Sequence, residues 1–135
     1  MEMPIPDQNV LNRKPELVKR LLSVLPRDAV IDHEAETKAY ECDALSAYRC
    51  PPMVAVLPRT TEEISAILKI CNEMRVPVVP RGSGTSLSGG ALPTADSVII
   101  GVARMSAVLE TNYPVRYIKV QSGRTNLSVT GAVEA

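Results

Sequence analysis

The stretch from Met53 to Val79 constrains this chain most. Met53-Val54-Ala55-Val56-Leu57 is a short apolar run with Pro52 before it and Pro58 after it, which predicts a buried strand too short to be a helix. Thr60 and Glu63 then stand at the spacing of a capping box, and Ile64, Ile67, Leu68, Cys71 and Met74 follow at helical intervals on one face. Pro77 ends that helix, and Val76-Pro77-Val78-Val79 predicts a second short strand. A strand, a helix and a strand in this order imply parallel strands joined by a right-handed crossover, because a helix packed on one face is what returns the chain to the same end of the sheet.

Directly after the second strand comes Pro80-Arg81-Gly82-Ser83-Gly84-Thr85-Ser86-Leu87-Ser88-Gly89-Gly90-Ala91-Leu92-Pro93. A loop at the carboxyl end of a parallel strand lies where open α/β sheets receive their ligands. Gly82 and Gly84 permit positive φ and close backbone approach, so several successive N–H groups can turn into one concavity and form a nest for an anion. Thr85, Ser86 and Ser88 add hydroxyls, and a diphosphate is the natural guest. Arg81 adds a fixed positive charge at the mouth, directed either to phosphate or to a carboxylate of the protein itself.

Two familiar phosphate motifs are excluded. A P-loop requires a Gly-Lys pair, and none occurs in the chain. A dinucleotide fingerprint requires glycines at its first, third and sixth positions, but counting from Gly82 the sixth is Leu87, and the loop follows the second strand rather than the first.

The flanks are less regular. Pro15 opens a predicted helix with Leu17, Val18, Leu21, Leu22 and Leu25 as its apolar stripe. Residues 26 to 52 read as a connecting segment with a short helix over Glu34 to Tyr40. Beyond the loop, Ser97 to Val102 predicts a buried strand, Ala107 to Glu110 and Arg116 to Gln121 predict a hairpin, and a helix begins near Thr125. The division expected is a helical arm and connection over 1–52 and a sheet-bearing unit over 53–135.

With no Phe and no Trp, the core must be aliphatic. Fifteen basic residues balance fifteen acidic ones, which gives no electrostatic ground for a nucleic-acid partner or an anionic membrane surface. No apolar stretch reaches membrane-spanning length and the first residues form no secretory core, so a soluble chain is expected. Cys42, Cys50 and Cys71 are odd in number and form no CxxC, which fits a reducing cytoplasm and small core residues better than a disulfide framework or a zinc site. His33, the single histidine, reads as a surface or packing residue.

The blocks Tyr40-Glu41-Cys42-Asp43-Ala44-Leu45-Ser46-Ala47-Tyr48-Arg49, Val56-Leu57-Pro58 and Val76 through Pro93 resemble, in order and spacing, the FAD subunits of bacterial glycolate oxidases. These belong to the vanillyl-alcohol oxidase, or PCMH-type, FAD-binding family. The resemblance implies an α/β (α+β) fold: a first lobe with a small parallel β-α-β sheet and helices, plus the start of a second lobe. It also implies that Pro80, Arg81, Gly82, Ser83, Gly84, Thr85 and Ser86 wrap the FAD pyrophosphate with main-chain amides and that Ser88 and Gly89 extend the nest. Leu57 and Pro58 are then expected near the adenosine, and Gly123, in Val120-Gln121-Ser122-Gly123, at the cofactor's border. Ser122 departs from the pattern, since relatives commonly carry Pro there.

By the same resemblance the parent activity is oxidation of a D-2-hydroxyacid such as glycolate or D-lactate, with FAD as cofactor. Relatives carry the substrate-binding histidines and arginine in a further domain. None of these is present in residues 1–135, so no catalytic base and no metal ligand is assigned and the fragment alone is expected to be inactive. The competing expectation is a non-catalytic fragment or assembly module that no longer binds FAD and associates with itself or a partner subunit.

Overall fold

The computed structural model describes residues 3–134. A short helix α1 (Gln8–Leu11) leads into α2 (Lys14–Leu22), which carries Pro15 in its first turn, where a missing N–H leaves no bond unmade. Leu17 and Leu21 are wholly buried and Leu25 nearly so, while Leu22 lies at the rim of the stripe, 37% exposed.

Four strands form the main sheet: β1 (Val30–Ile31), β2 (Val54–Val56), β3 (Val78–Arg81) and β4 (Val98–Gly101). Their spatial order is β1-β2-β4-β3, with β2 and β3 each parallel to β4 and β1 antiparallel to β2. The expected strand-helix-strand unit is therefore present, with β4 inserted between its two strands. Pro80, which cannot donate to a ladder, sits on β3 at the edge of the sheet. The edge strand β1 lies inside the segment read from sequence as a connection; α3 (Glu34–Thr37) follows it and ends in a single 3-10 turn at Tyr40.

Helix α4 (Thr61–Glu73) is the crossover. The Thr60 hydroxyl accepts from the Glu63 amide at 3.2 Å, and the Glu63 carboxylate accepts from the Arg59 amide at 2.6 Å, so both halves of a capping box operate, the second one residue early. Ile67, Ile70 and Cys71 from α4 and Met74 directly after it pack with Leu17, Leu21 and Leu25 against Val54, Val56, Val98 and Ile100 of the central strands. Each large side chain buried this way contributes about 1.5–3 kcal/mol. Ala55 and Ile99, pointing to the opposite face by strand alternation, are also fully buried, so the two central strands are covered on both sides.

An antiparallel hairpin, β5 (Val108–Asn112) and β6 (Tyr117–Val120), stands beyond the carboxyl ends of the parallel strands and is followed by α5 (Asn126–Val133), capped by Thr125. The expected hairpin and the helix starting near Thr125 are both observed. Gln121 ties the hairpin to the sheet: its side chain donates to the Arg59 carbonyl at 2.9 Å, just past β2.

Candidate functional site

The glycine-serine loop leaves β3 at Arg81, level with Gly101 of β4, and then divides into two halves. In the first half, the amide N–H groups of Gly82, Ser83, Gly84, Thr85, Ser86 and Leu87 have no acceptor among the described residues. Gly84 has φ +71°, the left-handed conformation that lets neighbouring amides converge. These residues are exposed or half-buried, so their amides are open to solvent or to a ligand.

The second half is engaged within the protein. The Ser86 hydroxyl accepts from the Ser88 amide at 3.3 Å and the Gly90 amide at 3.0 Å, and Leu92 donates to the Gly89 carbonyl at 3.2 Å. Gly89, at φ +75°, faces Leu45 and Leu92. The Ser88 amide is thus turned into the loop, and the stretch expected to extend the nest serves as its base.

Arg81 pairs with no carboxylate among the described residues. Its guanidinium donates to the Cys42 carbonyl at 2.7 Å and lies 5.8 Å from the centre of the Tyr40 ring, within cation–π range. It also covers Gly84, where an added Cβ would come within 2.3 Å of its Nη2. Below it, buried Asp43 accepts from the Leu45 amide at 2.9 Å and from the Ala91 amide at 3.2 Å.

Gly82 and Ser83 line a cleft of about 300 Å³ whose other walls are Val102 and Ala103, just after β4, and Ser122, Gly123, Arg124 and Thr125, between β6 and α5. The structure therefore brings Gly82 and Ser83 of the loop together with Gly123 along one cleft. Gly123 donates to the Met105 carbonyl at 2.9 Å and presses against the turn after β4. Leu57 and Pro58 do not line this cleft: Pro58 is fully buried, and Leu57 donates to the Ala29 carbonyl at 2.9 Å while its side chain packs on Gly101.

Sequence reasoning missed Asp43 and Arg124. Asp43-x-Leu45 carried the signature of an Asx turn, whereas its second bond, to Ala91, has no local signal. Arg124 fastens the hairpin to α5 by donating to the Ser106 carbonyl at 2.9 Å and the Ser128 carbonyl at 3.0 Å.

The cysteines take no part in the cleft. Burial raises the Cys71 thiol to about 11 and also shifts Cys50 upward, the reverse of what a nucleophile needs. Among the described residues, no cluster of three or more His, Cys, Asp or Glu could hold a metal ion, and no helix is long and apolar enough to cross a membrane.

The chain is similar to known proteins in sequence and in fold. A protein family described as "FAD binding domain" matches residues 52–135. The glycolate oxidase subunit GlcD of Escherichia coli (strain K12) is 45% identical over 109 residues, which is 81% of this chain and 22% of that protein. GlcD of Bacillus subtilis (strain 168) is 38% identical over 120 residues, 89% of this chain and 26% of that protein. The chain thus spans about a quarter of the length of these relatives. Among solved structures, p-cresol methylhydroxylase with substrate bound superposes with a TM-score of 0.81 at 22% identity, covering 98% of this chain and 26% of that one. The likeness supports the PCMH-type fold.

Proposed function

Because this chain belongs to the FAD-binding domain family matched over residues 52–135, we propose that its first loop half holds the FAD pyrophosphate, as part of a flavin-dependent oxidoreductase acting on a short 2-hydroxyacid such as glycolate or D-lactate. The observation that carries this reading is the run of amides from Gly82 to Leu87 with no acceptor among the described residues, whose first two residues, Gly82 and Ser83, line the cleft shared with Gly123. The residues fit the group: a doubly charged anion needs several donors and close backbone approach, and the loop offers successive amides without acceptors among the described residues and open space at Gly82. Pro80 and Arg81 set the loop's departure from the sheet, Ser83 and Thr85 add hydroxyl donors, and Ser86 fixes the turn beneath. Leu57 and Pro58 support the carboxyl edge of the sheet on the adenosine side.

When bound, the flavin accepts the reducing equivalents of the hydroxyacid; the residues described here bind and orient and supply no proton transfer. In this reading 53–135 is the first part of the FAD-binding unit, 1–52 is its arm, and the hydroxyacid is held by a domain outside these residues. A cytoplasmic location accords with three free thiols. The test is a flavin-fluorescence titration of the purified chain. Ser83→Asp sets a carboxylate among the amides and is expected to weaken FAD binding by at least about tenfold, while Ser83→Ala changes it little. Equal binding by the Asp variant would remove the loop from the site.

A second reading rests on the far end of the chain, where Leu109, Tyr113, Val115 and Leu127 are all more than half exposed on the hairpin and α5. Such a surface suits association with a second copy or a partner subunit. Solution mass measured with and without FAD separates the two: a colourless oligomer indifferent to FAD favours the assembly module.

A further inference from the structure

We infer that Tyr40, Asp43 and Arg81 form a clasp through which the arm sets the shape of the glycine loop, so that these are positioning residues for the dinucleotide; this rests on the flavin reading above. Arg81 leaves β3 immediately before the open amides, yet its guanidinium points back to the arm, on the Cys42 carbonyl at 2.7 Å and beside the Tyr40 ring. The second point of the clasp is Asp43, 6% exposed, whose two oxygens hold Leu45 within the arm and Ala91 at the far end of the loop. Leu45 adds an apolar contact, lying 3.7 Å from where a Gly89 Cβ would stand. The loop is therefore gripped near both ends, at Arg81 and at Ala91, by residues 40 to 45, and the ungripped stretch between them is the one with open amides.

Two consequences follow physically. An exposed loop with glycines at 82, 84, 89 and 90 has a high conformational entropy, and binding an anion on free amides requires that entropy to be removed. A clasp that removes it beforehand raises affinity without touching the ligand. Gly84, moreover, is held under the Arg81 guanidinium, so the φ of +71° that aims the amides depends on where Arg81 is anchored.

The experiment is backbone 15N relaxation on the purified chain without ligand, paired with FAD titration, for Arg81→Gln, Arg81→Lys and Asp43→Ala. In the unsubstituted chain the order parameters of Gly82 to Leu87 are expected to be near those of rigid backbone, about 0.85, and to fall below about 0.6 in Arg81→Gln and Asp43→Ala while β2 and β4 stay unchanged. FAD binding should weaken on the order of tenfold or more in both, since Arg81→Gln loses one hydrogen bond of a charged group and Asp43→Ala loses two. Arg81→Lys, which keeps a donor for the Cys42 carbonyl, should recover part of both. If Arg81→Gln loses affinity with loop order intact, Arg81 is a direct phosphate ligand and the clasp is refuted; unchanged order and affinity in both variants refute it as well. Should Asp43→Ala disturb β2 and β4, Tyr40→Leu, which spares the buried carboxyl, carries the same expectations. If the unsubstituted chain binds no FAD, the flavin reading fails while the relaxation data still decide on the clasp.

Discussion

A Cβ placed on Gly123 would stand 1.9 Å from the Val102 carbonyl oxygen. No rotamer relieves such an overlap, because both partners are main chain, so the segment after β6 and the turn after β4 can lie this close only with glycine at 123. The contact forms one wall of the cleft, opposite Gly82 and Ser83.

Gly123→Ala should therefore destabilise the chain by about 1–3 kcal/mol, the range for forcing extra bulk into a packed contact. It should also widen the cleft and weaken FAD binding. Gly131→Ala is the control: nothing lies within 4 Å of an added Cβ there, and within α5 the change should stabilise by about 0.5–1 kcal/mol. Urea unfolding of both variants checks the pair.

Thiol labelling should proceed in a fixed order. Cys42 is partly exposed, whereas Cys71 is 1% exposed and its thiol is pushed up to about 11 by burial. At pH 8 a disulfide reagent should modify Cys42 promptly and Cys71 only at the rate of unfolding. The sign for stability follows: the raised folded-state value favours the folded chain fully below about 9, and this contribution is lost as the pH climbs from about 9 toward 11. Cys71→Ser should remove that alkaline component from the unfolding profile.

Asp96 contributes on the acid side. Burial by itself would raise its carboxyl, but hydrogen bonds from the Asp7 amide at 2.9 Å and the Thr94 hydroxyl at 2.7 Å outweigh it and hold the group below its ordinary 3.8. A lowered folded-state value contributes stability above the ordinary carboxylate range, and that contribution disappears as the pH falls through the folded-state value. Asp96→Ala should cost about 1–3 kcal/mol at pH 7 and progressively less below pH 3.8, measured by thermal unfolding across pH.

These expectations show where the fold was legible in the residues. The crossover helix could be read because local signals coincide there: prolines bracket the strand, Thr60 and Glu63 cap the helix, and Ile64, Ile67, Cys71 and Met74 recur on one face, although Leu68, read with them, is exposed and Ile70, which was not, is buried. β1 could not, because two residues carry no period and Val30 becomes a strand only by pairing with Val56. The insertion of β4 between β2 and β3 is likewise a long-range pairing, invisible to a reading that takes neighbours in sequence as neighbours in space.

Within the site, glycine content and position singled out the loop after β3, and Gly82 and Gly123 line the same cleft. For Arg81 the residues showed the charge but not its protein partners. A guanidinium beside a candidate phosphate nest invites pairing with an anion, but its reach lets it turn backward, and the Cys42 carbonyl and Tyr40 ring, distant in sequence, were there to receive it.

The central claim is that the amides of Gly82 to Leu87 receive a pyrophosphate. The most direct test is to follow the amide resonances of the 15N-labelled chain while FAD, and separately adenosine, is added. FAD should shift Gly82 to Leu87 and Gly123 most, and adenosine should leave the amides of Gly82 to Leu87 nearly unmoved. If FAD binds and those amides stay in place, or adenosine moves them equally, the pyrophosphate lies elsewhere and the account is wrong.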